Sequence, residues 1–258
     1  LIAFSGMLLA YCATSFNTRM YTGAAIGLAI CIALVVSLLI GALHATLIHR
    51  LKLPPFVVTL AALTFFRSQA LLMNHQLPIP VTDFPILQWL ANGKILEGTR
   101  FAIPVPMAIL VLVGVSIHFL LSRTSIGRHI YSVGSNEQAT RLSGVNVGRV
   151  KMMAYGMSAL LGGFAGVLYA GYGGQGDPLS GNSYELNAVA AAVIGGANLS
   201  GGQGSVAGTV LGACLLRVIL SGITLTFERA ALWEGTVIGG VLLMAVLTSA
   251  FQQRRAQS

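Results

Sequence analysis

Hydrophobic positions in this chain gather into long apolar blocks separated by short polar connections, and a helix needs roughly 20 such residues to cross a hydrocarbon core. Eight blocks stand out, at approximately 1–16, 23–48, 55–73, 103–121, 151–172, 186–197, 204–223 and 233–251. The expected fold class is all-α: a polytopic transmembrane helical bundle that occupies 1–258 as one domain. Block 186–197 is too short to span at 1.5 Å per residue. It runs into Gly195-Gly196 and then Asn198-Leu199-Ser200-Gly201-Gly202, which predicts a broken or re-entrant helix. Non-helical backbone at membrane depth is tolerated where protein buries it or water lines it. Block 55–73 opens on Pro54-Pro55, a helix start, since proline is accepted in the first turn. Gly204, Gly208 and Gly212 recur every four residues, as do Gly162 and Gly166. Such flat faces let helices approach closely in lipid, either for static packing or as a sliding surface. The 74–102 connection, with Pro78, Pro80, Pro85 and Trp89, is expected to fold over one mouth of the bundle or to cap it as an ordered lid.

Composition supports this reading. Hydrophobic residues make up 55% of the 258 positions and charged residues 9%. The mean hydropathy is +0.80. A soluble domain of this size needs more charge to cover its surface. The net charge of +8 invites a nucleic-acid reading, but the basic residues sit at the ends of apolar blocks rather than along one stripe. If the connections alternate sides, one set holds Arg50, Lys52, Arg123, Arg128, Arg141, Arg149, Lys151, Arg254 and Arg255, nine in all. The other holds Arg19, Lys94, Arg100 and Arg229, four in all. The positive-inside rule then places the 122–150 loop and the C-terminus in the cytoplasm. Cys12, Cys31 and Cys214 all lie inside apolar blocks without metal-ligand spacing, so no metal or disulfide framework is implied.

The chemistry-bearing candidates are few. In the 122–150 loop, Asn136 to Ser143 reads as a short helix: Asn136 at the N-cap, Glu137 in the first turn, Arg141 four residues on, and Gly144 as the stop. It is either a docking handle for a cytoplasmic partner or a solvated loop helix. Polar residues within the blocks mark candidate pathways, because they are costly in hydrocarbon. Tyr184, Glu185, Asn187 and Asn198 flank the broken segment and line the route or bond structurally. His44 is expected to be a hydrogen-bonded packing residue. Arg67 and Arg217 are expected to lie near block ends and reach the interface. Leu199-Ser200-Gly201-Gly202-Gln203 spells the signature of an ABC ATPase, but no phosphate-cradling G-x-x-x-x-G-K-[S/T] loop accompanies it, so it reads as a glycine-rich turn. Ser, His and Asp are scattered, which assigns no catalytic role.

Four stretches carry a resemblance. Gly127 to Val145 resembles the pattern G-R-x-I-Y-A-x-G-x-N-x-x-A-x-R-x-S-G-I of the ribose-type and branched-chain-type permeases of bacterial ABC importers. Tyr184 to Gly196 resembles that family's Y-E-L-D-A-I-A-A-V-V-I-G-G, with Asn187 where Asp is common. Leu199 to Gly212 resembles its L-x-G-G-x-G-S-x-x-G-T-x-x-G-A. Leu51-Lys52-Leu53-Pro54-Pro55-Phe56 matches its L-K-L-P-P-F. Ser135 stands where the family commonly has Gly. Its N-terminal G-G-I-D-L-S-V-G run has no counterpart, and the chain, opening at Leu1 inside an apolar block, is read as N-terminally truncated. The resemblance implies a membrane permease for a monosaccharide, ribose-like, with no cofactor. It implies that Gly134, Asn136, Glu137, Arg141 and Gly144 dock a cytoplasmic ATPase subunit. The implied partners are a second permease subunit, identical or paralogous, two ATPase subunits, a periplasmic sugar-binding protein and membrane lipid. An amino-acid permease of the same family is the nearest alternative. An ion-coupled carrier is weaker, since it wants a carboxylate or His pair deep in the bundle, and a non-transporting membrane subunit is a third reading.

Overall fold

A computed structural model describes residues 1–17, 22–95, 102–226, 233, 235–241, 243 and 244. Its helices in chain order are α1 (Ile2–Asn17), α2 (Thr22–Arg50), α3 (Pro55–Leu72), α4 (Pro85–Asn92) and α5 (Val105–Arg123). They continue with α6 (Ser125–Ser135), α7 (Glu137–Leu142), α8 (Val147–Gly173), α9 (Tyr184–Ile194) and α10 (Val206–Thr226). Four two-residue strands accompany them: β1 (Ile79–Pro80), β2 (Lys94–Ile95), β3 (Ile103–Pro104) and β4 (Gln175–Gly176). They pair antiparallel, β1 with β4 and β2 with β3.

The chain is an all-α, multi-pass membrane protein. Helices α2, α3, α5, α8 and α10 are long and apolar enough to cross a bilayer, while α1 and α9 are shorter apolar helices. Seven apolar blocks thus become helices, and Pro55 occupies the first turn of α3 as its sequence implied. The eighth, 233–251, lies mostly outside the described residues; its described positions are helical. Arg19, Glu97, Arg100, Glu228, Arg229, Glu234, Arg254 and Arg255 also lie outside them. Helix α8 starts at Val147 rather than 151, because the Asn146 side chain accepts from the Arg149 N–H at 3.1 Å and caps it. Arg149 and Lys151 therefore belong to the first turns of a helix and not to the connection.

The chain divides into two compact units, residues 1–112 with 146–181, and 113–145 with 182–258. In the first, α2 and α8 form the most extensive helix pair, with α1 packed on both. Met7, Leu9, Ile26, Val81, Phe84, Leu87 and Val167 fill its core. Small residues set the approach: Gly163 lies against Ser37, Gly166 against Ser5, and Gly41 against Tyr155 and Ala159. The close-packed glycine is Gly163, not the expected Gly162, whose nearest neighbour is the Leu1 side chain at 3.9 Å from a built Cβ. The described part of the 74–102 connection is an ordered lid. Leu87 and Ala91 of α4 sit against Gly171, and the Asn92 side-chain amide donates to the Gly171 carbonyl at 3.3 Å. His44 is buried edge-on to Phe66, with ring centroids 6.5 Å apart. Its Nε2 has no hydrogen-bond partner among the described residues, so it packs without the bond expected there.

In the second unit, α9 and α10 run antiparallel. Gly208 lies against the Gly195 backbone and Gly212 against the Ala191 carbonyl, so backbone meets backbone where any side chain would intervene. Ala190, Ala191, Leu216, Leu220 and Ile238 are buried along this seam. Gly204 precedes α10, which shortens the expected three-glycine stripe to two.

Candidate functional site

The candidate loop residues and the polar residues flanking α9 all belong to the second unit, and they fall at two levels. The first is the α6–α7 region. Helix α7 is only six residues long, so its stability comes from its ends and attachments rather than from propagation. The Ala139 N–H donates to Asn136 Oδ1 at 2.9 Å, closing the N-cap. Arg141 Nη2 lies 3.0 Å from Glu137 Oε1, and Gly144 takes a left-handed φ of 82° just after the helix. Thr140 is buried, its hydroxyl donating to the Asn136 carbonyl at 2.8 Å, while Leu142 is 89% exposed, a bare leucine beside the ion pair. The cap, the pair and the stop follow the sequence expectation. Leu142 is missing from the sequence-derived candidates, although a leucine two residues before the Gly144 stop is visible in the sequence.

Helix α6 was not anticipated. Thr124 caps it by accepting from the Gly127 N–H at 3.3 Å. Its C-terminal end rests on the 198–204 turn. The Tyr131 hydroxyl donates to the Gly204 carbonyl at 2.9 Å. A Cβ at Gly134 would stand 2.6 Å from the Gly202 nitrogen, and one at Gly201 would stand 2.7 Å from the Gly134 oxygen. Gly201 and Gly202 also have φ of 91° and 78°, where an L side chain is strained. The ATPase-signature lookalike is thus a turn shaped to receive α6, and Gly134 faces that turn.

The second level is the start of α9. The 11 residues of α9 cover about 16 Å, roughly half a hydrocarbon core. The α9–α10 register sets its N-terminus beside the middle of α10. There the Arg217 guanidinium lies over the Tyr184 ring, 5.8 Å from its centroid, and Arg217 Nη2 approaches the Tyr184 hydroxyl at 3.5 Å. Arg217 was expected near a block end; α10 extends to Thr226, which puts Arg217 at mid-helix. Glu185 is exposed in the first turn of α9, and Asn187 Oδ1 is buried without a hydrogen-bond partner among the described residues. Tyr184, Glu185 and Asn187 therefore share one end of α9. Asn198 does not join them. It sits at the other end, where its Oδ1 accepts from the Ser200 N–H at 2.9 Å and shapes the glycine turn.

Residues 2–246 match the family described as branched-chain amino acid transport system / permease component. The chain belongs to this permease family. Among curated relatives, the ribose import permease protein RbsC of Bacillus subtilis is 37% identical over 206 residues, covering 79% of this chain and 62% of the relative. The ribose import permease protein RbsC of Escherichia coli K12 is 31% identical, covering 81% of this chain and 64% of the relative. The xylose transport system permease protein XylH of Haemophilus influenzae is 40% identical over 70% of this chain and 48% of its own length. The chain thus spans between about half and just under two thirds of the length of these curated relatives. No solved structure matches it. In the second unit, α6 thus rests on the turn after the C-terminal end of α9, and an arginine–tyrosine pair stands at its N-terminal end.

Proposed function

We propose that this chain is the membrane-spanning permease subunit of an ATP-driven monosaccharide importer in a bacterial inner membrane. The observation that carries the reading is the seating of α6 on the glycine turn. It links α7, through α6, to the turn that follows the half-helix α9, by glycine backbone contacts too close to admit a Cβ. The likeness to ribose and xylose permeases supports a pentose-like cargo over an amino acid.

In this mechanism the 122–150 loop and the C-terminus face the cytosol, as the nine-to-four distribution of basic residues favours. Asn136, Glu137, Arg141, Leu142 and Gly144 form the face that meets a separate ATPase subunit, with Gly134 holding α6 to the turn behind it. Two permease subunits, identical or paralogous, enclose the route, and a periplasmic binding protein delivers the sugar. ATP binding draws the ATPases together, and α7 passes that displacement through α6 to α9. The permease alternates between outward- and inward-open states. The size of the population shift equals the difference in nucleotide affinity between the two. The permease hydrolyses nothing itself and needs no cofactor.

The test is reconstitution of the full-length protein with its co-expressed ATPase and binding protein in liposomes. The panel of labelled cargoes includes ribose, xylose and branched-chain amino acids. ATP-dependent monosaccharide uptake is expected. Amino-acid uptake alone would move the cargo assignment, and uptake that persists without the ATPase would replace the mechanism with an ion-coupled one.

A further inference from the structure

Helix α10 has three distinct faces. Gly212, Leu216 and Leu220 are buried against α9. Leu211, Leu215, Val218 and Leu225 form an exposed apolar face suited to lipid. Between them, Arg217, Ser221 and Thr224 recur at i, i+4 and i+7 and are all exposed. Arg217 stands eleven residues after Val206 and nine before Thr226, so about 13 Å of apolar helix separates it from the nearer end. That is too far for its side chain to reach an interface. A cation at this depth cannot face acyl chains at bearable cost; it faces water, a polar cavity or another protein. Among the described residues no acid is paired with it, and its described partner is Tyr184. That pairing leaves most of the guanidinium's five donors open.

We propose that the Arg217–Ser221–Thr224 stripe, with Tyr184 at its inner end, is a wall of the water-filled sugar route. The chemistry suits a polyol. A guanidinium donates two parallel N–H groups to neighbouring hydroxyls, a tyrosine ring covers the C–H face of a sugar, and the Ser and Thr hydroxyls exchange weak hydrogen bonds along the way. The stripe extends from the α9 N-terminus to the end of α10 remote from the glycine turn, so it would serve the half of the route opposite the ATPase-facing side. The inference rests on the permease reading and extends it to residues outside the α9 motif.

The test is cysteine accessibility in the reconstituted full-length transporter, with Cys12, Cys31 and Cys214 replaced by serine. Arg217→Cys, Ser221→Cys, Val218→Cys and Leu225→Cys are treated with a charged, membrane-impermeant thiosulfonate, with and without saturating ribose or xylose plus binding protein. The expected result is a helical pattern: positions 217 and 221 react at least ten-fold faster than 218 and 225, and sugar slows them several-fold. Ser221→Cys is nearly isosteric, so the pattern survives if Arg217→Cys assembles poorly. Arg217→Gln is expected to lower maximal uptake more than ten-fold, with Arg217→Lys partly restoring it. A transporter that moves sugar normally while 217 and 221 stay unreactive overturns this inference alone; the stripe then faces a second permease subunit or another protein segment. A wild-type complex that moves amino acids alone removes the sugar assignment and this inference with it, and one that moves neither monosaccharide nor amino acid sinks the permease reading itself.

Discussion

Glu137 and Arg141 illustrate how little an exposed ion pair says about stability and how much it can say about recognition. The pair is a good i, i+4 contact at 3.0 Å, yet the two side chains are 37% and 61% exposed. Such pairs contribute about 0.3–0.5 kcal/mol at most, less in salt. The Asn136 cap is worth about 1 kcal/mol, so it holds α7 more firmly than the pair does. Asn136→Ala should therefore lower the thermal stability of the loop, read as faster amide exchange at residues 137–142. The charge-swapped double variant Glu137→Arg/Arg141→Glu separates the two roles. It keeps a pair within the helix while inverting the charge pattern shown to a partner. We expect normal membrane insertion but loss of most sugar-stimulated ATPase activity in the assembled complex. Wild-type stimulation in the swap would reduce the pair to a helix brace. Leu142 belongs to the same test. At 89% exposure it contributes almost nothing to folding, so Leu142→Asp should leave the permease intact yet fail to co-purify with the ATPase.

Element-scale behaviour turns on the contact between α6 and the 198–204 turn. Gly201 and Gly202 are constrained twice, by their left-handed φ and by the α6 backbone pressed against them. Gly201→Ala adds a methyl beside the Gly134 carbonyl, and α6 must lift to admit it. The expected outcome is a protein that inserts and binds ATPase but transports at a tenth of the normal rate or less. Tyr131→Phe removes one hydrogen bond to the Gly204 carbonyl, worth about 1 kcal/mol, and should cost transport only a few-fold. If Gly201→Ala transports normally, force does not pass through this turn. Helix α7 was legible in the sequence because its cap, pair and stop are local signals. Helix α6 was not, because Gly127, Gly134 and the β-branched residues between them read as loop. What holds it helical is a Thr124 cap and a surface 70 residues further along the chain. The choice of Gly163 over Gly162 was hidden for the same reason. Spacing marks a small-residue face, but only the serine opposite decides which glycine lies at the contact.

Across the whole chain, the apolar blocks made the helices readable, while depth within a helix was less so. A two- or three-residue shift at the ends of α10 moved Arg217 from the interface to mid-span and changed its meaning from anchor to pathway candidate. Sidedness is the remaining whole-molecule claim, and the basic residues argue it by imbalance rather than by any one contact. Two contacts agree with the alternation that the count assumed. His49 at the end of α2 lies beside Gly148 at the start of α8, and Gly134 of α6 lies beside the 201–202 turn. Each contact joins two connections assigned to the same side. A single labelling experiment on intact cells tests the claim. Gln138 is exposed on α7, so Gln138→Cys in a cysteine-free background should resist an impermeant maleimide applied outside and react fully once the cells are opened. Labelling from outside would invert every assignment at once. It would put α7 where no ATP-driven motor could reach it, and the arginine stripe of α10 would then open towards the cytosol.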